Sequence, residues 1–171
     1  AGERALHGEG QATVAAPRQT VWDMLLDPET LRAVVPGAHS IEQVSPTHFR
    51  AEVTLGVGPV KGRYRAEIKL SDLDEPNALT LSGGADGALG TSRGSGRVTL
   101  TQTERGTVVS YTYEAAIGGK VASVGGRLLD GAARVVIGQF FASLARHAGA
   151  SGAQSSEGLW SRILRMLGRG G

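Results

Sequence analysis

Two periods divide the chain. Between residues 40 and 117 apolar residues recur at every second position, whereas over 17–35 and 120–147 they recur at every third or fourth. The first spacing marks half-buried strands and the second marks helices. Phe49, Ala51, Val53, Leu55 and Val57 alternate with Arg50, Glu52 and Thr54. Tyr64, Ala66, Ile68 and Leu70 alternate with Arg63, Arg65, Glu67 and Lys69. The alternation resumes at Leu79 and Leu81, at Val98 and Leu100, and at Val109, Tyr111, Tyr113, Ala115 and Ile117. Turn residues separate these runs: Pro46, Gly58 with Pro59, Pro76 with Asn77, and Gly106. With a short strand over 41–44, the pattern predicts an antiparallel meander. Residues 6–16 predict one more strand ahead of it.

The helical spacing appears in three places. Pro17 opens a helix carrying Val21, Trp22, Leu25 and Leu26, and Pro28 opens a second short one that Pro36 and Gly37 end. Residues 120–147 then read as one long helix. Val121, Val124, Leu128, Ala132, Val135 and Gln139 form its stripe, with Leu129, Val136 and Phe140 beside it. Residues 149–158 contain only Gly, Ala, Ser, Gln and Glu, the composition of a flexible linker, and 159–168 predict a short amphipathic helix. The class is therefore α+β: a curved antiparallel sheet of about seven strands around a long C-terminal helix. The domain spans 1–148, the linker 149–158 and the last helix 159–168. Such a grip can leave an apolar cavity between sheet and helix. Its predicted ligand-binding wall is Phe49, Val53, Leu55, Tyr64, Ile68, Leu81, Leu100, Tyr111 and Tyr113 from the sheet. The helix would add Val124, Leu128, Ala132 and Val135.

Composition removes whole classes of chemistry. The chain has 171 residues and no cysteine, which excludes disulfides, thiolate metal sites and cysteine nucleophiles. Its net charge of +2 lies entirely beyond residue 150: the body balances, and the tail sets Arg162, Arg165 and Arg169 against Glu157. A neutral body with 5% aromatics offers no footprint for nucleic acid. No run approaches the roughly 18–20 apolar residues of a membrane span. The first ten residues lack a charged-then-apolar leader pattern.

Candidate chemistry is sparse. His7, His39, His48 and His147 show no metal-pair spacing, although His39 and His48 bracket one predicted hairpin. The glycine-rich run over 83–96 lacks phosphate-loop spacing and reads as a flexible or bulged hairpin near the cavity mouth. Asp130 stands three residues after Arg127 and four before Arg134, spacings that permit surface ion pairs. Gly125, Gly126, Gly131 and Gly138 each cost the long helix about 1 kcal/mol relative to Ala. They either leave room for a ligand or allow close packing. The tyrosine hydroxyls either face a ligand carbonyl or reach a backbone carbonyl or the solvent rim. In the tail, Leu159, Trp160, Ile163, Leu164 and Leu167 share one helical face, with Arg162, Arg165 and Arg169 off its centre. That composition suits a helix lying in a membrane interface. Docking on a partner protein or on its own domain are the alternatives.

The segments VAAPRQTVWDMLLDPETL, VVPG, VGPVKGRYRAEIKLSDLDEP, LSGG and GGKVASVGGRLLDGAARVVIGQFF resemble, in order, the CoxG family of carbon monoxide dehydrogenase subunits. The resemblance covers roughly residues 7–147, and GPVKG and LLDGAA are its most specific pieces. It implies the helix-grip fold of the START/Bet v 1-like (SRPBCC) superfamily. It also implies an accessory rather than catalytic role beside a molybdenum-containing CO dehydrogenase-like hydroxylase. The family is associated with attaching that enzyme to the cytoplasmic membrane, which would place this chain on the membrane's inner face. It is further associated with a hydrophobic ligand, for which a quinone is a candidate, and with no covalent cofactor. A cyclase or dehydratase using the same cavity is the competing reading, since helix-grip relatives include such enzymes.

Overall fold

The computed structural model describes residues 3–152, so the tail residues Leu159 to Arg169 and most of the expected linker lie outside it. The elements run β1 (Glu3–Val14), α1 (Arg18–Leu26), α2 (Pro28–Val34), β2 (Ala38–Ser45) and β3 (His48–Leu55). They continue as β4 (Gly62–Asp74), β5 (Ala78–Gly87), β6 (Gly90–Thr103), β7 (Gly106–Gly118) and α3 (Gly126–Gly152). All seven strands form one antiparallel sheet in the order β1-β7-β6-β5-β4-β3-β2. This is the expected meander from β2 to β7, with β1 returning to pair along β7.

Local chemistry sets the short helices. Pro17, in extended backbone, precedes α1, and its carbonyl accepts from the Val21 amide at 3.0 Å. Asp27 caps α2: its carboxylate accepts from the Thr30 amide at 3.0 Å and from the Thr30 hydroxyl at 2.7 Å. These caps carry Val21, Trp22, Met24 and Val34 onto the sheet. There they join Val14, Leu79, Leu100, Val109, Leu144 and Ala148 in the main core. A smaller core of Leu6, Val121 and Leu129 closes the other end of α3. Thr107, fully buried, donates its hydroxyl to the Ala16 carbonyl at 2.8 Å, so the start of β7 is tied to the end of β1.

Two expectations change. The long helix does not begin at Lys120. Lys120–Val124 is a short 3-10 turn between Gly119 (φ 88°) and Gly125 (φ 101°), backbone that side-chain-bearing residues rarely adopt. The helix starts after that break and runs to Gly152, taking in the first four residues of the expected linker. The glycine-rich run is not a bulged hairpin either. Residues 83–87 and 90–96 pair in unbroken register from Leu81 opposite Gly96 to Gly87 opposite Gly90. Glycine is needed there because neighbouring backbones come close: a Cβ on Gly84 would strike the Ser92 carbonyl, and one on Gly94 the Glu114 carbonyl.

The convex face of the sheet carries the charges. Arg50 reaches Glu67 at 3.4 Å and Arg63 reaches Glu52 at 3.3 Å, exposed pairs of small energetic weight. His48 and His39 stand at opposite ends of the β2–β3 hairpin. His48 lies 3.2 Å from Glu67 and His39 lies 2.6 Å from the Thr54 hydroxyl, so they do not meet.

Leu144 is the largest fully buried side chain among the described residues and ties α3 to the α1–α2 end. Leu144→Ala is expected to lower unfolding stability by about 2–5 kcal/mol in a denaturant titration. A loss under about 1 kcal/mol would mean that this end of α3 is not anchored as described.

Candidate functional site

Inward-facing strand residues converge on a cavity of about 480 Å³ between the sheet, the α1–α2 corner and α3. β3 and β4 supply Phe49, Val53, Leu55 and Ile68. β5 supplies Leu79 and Leu81, β6 Val98, and β7 Val109, Tyr111 and Tyr113. The helices close it with Leu25, Leu31, Val136, Ile137, Phe140 and Phe141. A second chamber of about 280 Å³ lies toward the other end of α3, with Tyr64, Ala85, Ser92, Ile117, Leu129 and Ala132 in its wall. Val53, Leu55, Val136 and Ile137 line both chambers, so the two adjoin there.

The lining is carbon almost throughout, and tyrosine provides its only titratable groups among the described residues. The Tyr111 ring stacks on Phe141 with centroids 5.3 Å apart, and Phe141 meets Phe140 edge to face at 5.1 Å. Tyr111 and Tyr113 lie over Gly10 and Gly8 of β1, where a Cβ would collide with them. The two glycines therefore leave space for the rings on the sheet's concave face. The Tyr64 hydroxyl donates to the Val60 carbonyl at 2.8 Å. Those of Tyr111 and Tyr113 have no hydrogen-bond partner among the described residues and are not sealed from water. Burial raises the Tyr64 hydroxyl above its ordinary pKa. Burial raises Tyr113 as well, the Asp130 carboxylate and Tyr111 add to the shift, and Arg134 opposes it.

Seven of the expected wall residues meet in the first chamber: Phe49, Val53, Leu55, Ile68, Leu81, Tyr111 and Tyr113. Tyr64 and Ala132 stand in the second. Four do not line either. Leu100 is buried in the main core, and Val124 packs against the small one. Leu128 and Val135 point outward and are 57% and 46% exposed. The expected stripe crosses the Gly125 break, so a phase set by Val121 and Val124 does not carry into α3. The true inner face runs through Leu129, Ala132, Val136, Phe140 and Leu144. Gly131 and Gly138 line neither chamber, and they allow no close packing either, since a Cβ on each would meet only open space. The expected Asp130 ion pairs with Arg127 and Arg134 do not form among the described residues. Sequence reasoning missed the α1–α2 contribution, Leu25, Leu31, Val35 and Pro36, although helical spacing marks an apolar face there.

A family profile for CoxG, a carbon monoxide dehydrogenase subunit, matches residues 10–149. The chain belongs to the CoxG family. A conserved protein from Geobacillus kaustophilus is similar to this CoxG chain in sequence and structure. The two are 32% identical with a TM-score of 0.81, over 85% of this chain and 97% of that one. A START superfamily protein from Mycobacterium smegmatis (12% identity, TM-score 0.65) covers 84% of this chain and 97% of its own. The Zhui aromatase/cyclase from Streptomyces sp. R1128 (12% identity, TM-score 0.64) covers 91% and 99%. These two share the fold, which establishes the START-like helix-grip architecture. No curated protein sequence matches the chain.

The tyrosines give a direct check on the site. Because the folded state holds Tyr64 and Tyr113 above the ordinary value of 10.0, it keeps their protons to higher pH than the unfolded chain. The stability linked to them is complete below pH 10 and is lost as pH rises through the folded values. Absorbance titration of Tyr64→Phe and Tyr113→Phe should each delete a late-ionising tyrosine. Loss of an ordinary one instead would place that hydroxyl in open solvent.

Proposed function

We propose that this CoxG-family protein is a non-enzymatic carrier and adaptor. It holds a hydrophobic small molecule, with a quinone as the candidate, in the two adjoining chambers. It docks on a molybdenum-containing CO dehydrogenase-like hydroxylase and brings that enzyme to the inner face of the cytoplasmic membrane. The observation that carries the ligand reading is the cavity: about 480 Å³ walled by aliphatic and aromatic carbon, with a second chamber of about 280 Å³ beside it. That size falls within the range of small-molecule sites. Apolar walls bind by removing apolar surface from water, at about 25 cal/mol per Å² buried. Few polar groups orient the guest, so the site suits a largely hydrocarbon molecule with one or two polar atoms. The enzyme partner rests on the family, whose name is that of a dehydrogenase component.

A cyclase or dehydratase would need an acid or base beside its substrate. Among the described residues no carboxylate or histidine lines either chamber, which favours the carrier over the enzyme.

Mass spectrometry of a solvent extract from natively purified protein is the test, with Ile68→Trp in parallel. A near-stoichiometric quinone or lipid is expected from the parent and at least a tenfold smaller amount from Ile68→Trp, whose indole would occupy the first chamber. An empty extract from a quinone-containing host, with detergent excluded, would remove the carrier reading. Equal amounts from both proteins would move the ligand out of the chamber.

A further inference from the structure

The outward face of α3 mixes apolar and small residues with Gln139, and carries Arg127 and Arg134 along one edge and Arg146, about five turns on, in line with Leu128. Leu128, Val135 and Ala142 follow one another at intervals of seven, with Gly131 and Gly138 beside them. Leu128 and Val135 are among the large apolar side chains most exposed in the domain. Arg127, Arg134 and Arg146 are exposed along the same helix, and none pairs with a carboxylate among the described residues. The one acid of the helix, Asp130, is half-buried and lies near Tyr113. Residues Gly126–Gly149 reach a mean hydropathy of 1.3 with 17% of the most apolar window buried. By length and composition alone such a helix could cross a membrane, a property that a helix packed into a domain core shares, and Arg127, Asp130, Arg134 and Arg146 interrupt its apolar run. Leu129, Leu144 and Ala148 pack it into the domain's cores.

We propose that α3 is the membrane-facing element of the folded domain, lying with Leu128 and Val135 against an anionic bilayer and Arg127, Arg134 and Arg146 at the lipid phosphates. This rests on the membrane part of the reading above and adds to it a second contact, separate from the tail. Charge decides the occupant. A second copy docked through α3 would bring like-charged arginines together. The chain's own residues 159–168 would bring Arg162 and Arg165 against them, with Arg169 close behind. An anionic surface attracts both sets at once. Shape agrees: two apolar side chains separated by glycines make a shallow face with few knobs for a protein groove, but one suited to a fluid interface. The arrangement also has a consequence for the ligand. The opposite face of α3 carries Val136, Ile137, Phe140 and Phe141 into the first chamber. One helix thickness, about 10 Å, would then separate lipid from cavity.

The chain has no cysteine, so a single introduced thiol reports one position. Full-length Leu128→Cys and Val135→Cys proteins would be labelled with an environment-sensitive fluorophore, with Thr101→Cys on the opposite sheet face as control. Vesicles of phosphatidylglycerol and phosphatidylcholine should shift the labels at 128 and 135 to the blue, and lipid-borne quenchers should reach them. The label at 101 should stay aqueous, and pure phosphatidylcholine should give little. Arg127→Glu with Arg134→Glu, in the full chain, should weaken vesicle partitioning by roughly tenfold or more. Flotation with the labels at 128 and 135 still aqueous would overturn the proposal and leave membrane attachment to the tail alone. Blue-shifted labels without vesicles would overturn it in favour of a second copy, if concentration-dependent, or of the tail. Absence of flotation altogether would remove both this proposal and the membrane part of the adaptor reading, while the extraction result stands independently.

Discussion

One helix cannot cover seven strands. Strands spaced about 4.8 Å apart make this sheet roughly 29 Å wide, whereas a helix with its side chains is about 10 Å across. The concave face presents apolar residues from β1 to β3, and that surface must be removed from water. α3 covers part of it, and α1 and α2 cover one corner through Trp22, Met24 and Val34. What they leave is the pair of chambers around Val53, Leu55, Val136 and Ile137. The cavity thus follows from the geometry of the fold. What this sequence adds is the choice of lining, and it keeps charge on the other side of the sheet.

The period-two alternation makes that choice legible. Arg50, Glu52, Arg63, Arg65 and Glu67 have to face water, which fixes Phe49, Val53, Tyr64 and Ile68 inward, and a one-residue slip would invert the whole set. Seven wall positions in the first chamber can be read in this way. Leu100 shows the limit of the rule. It faces the same side as Val98 but sits where α1 presses on β6, so it is core and not cavity. Alternation gives the face of a strand. How far along the strand the covering helices reach is a tertiary fact.

The helix is harder to read because its outward face mixes Leu128, Val135 and glycines with Arg127, Arg134 and Gln139, so no clean polar face selects a direction. Val121 and Val124, which suggest a phase for it, belong to the turn before Gly125. Glycines mislead in both directions. Gly119 and Gly125 break the chain where continuity is expected, and Gly83, Gly84, Gly94 and Gly96 continue two strands where a break is expected. Glycine marks both an unusual backbone angle and a close approach of backbones, and only the structure tells which.

The outward residues of α3 raise a question that the interior cannot answer. Gly131 and Gly138 each weaken the helix by about 1 kcal/mol relative to Ala, and no neighbour among the described residues would obstruct a methyl at either position. Leu128 and Val135 gain little from folding, since about half of each side chain remains in water. A solvated helix face made of such residues adds little to the stability of the fold and would gain from contact with a surface outside the domain. The inner face of the same helix closes the ligand chamber, through Val136 and Phe140. An external contact that shifted or loosened α3 would therefore act on the cavity through a single rigid element, with no further moving part between the two faces.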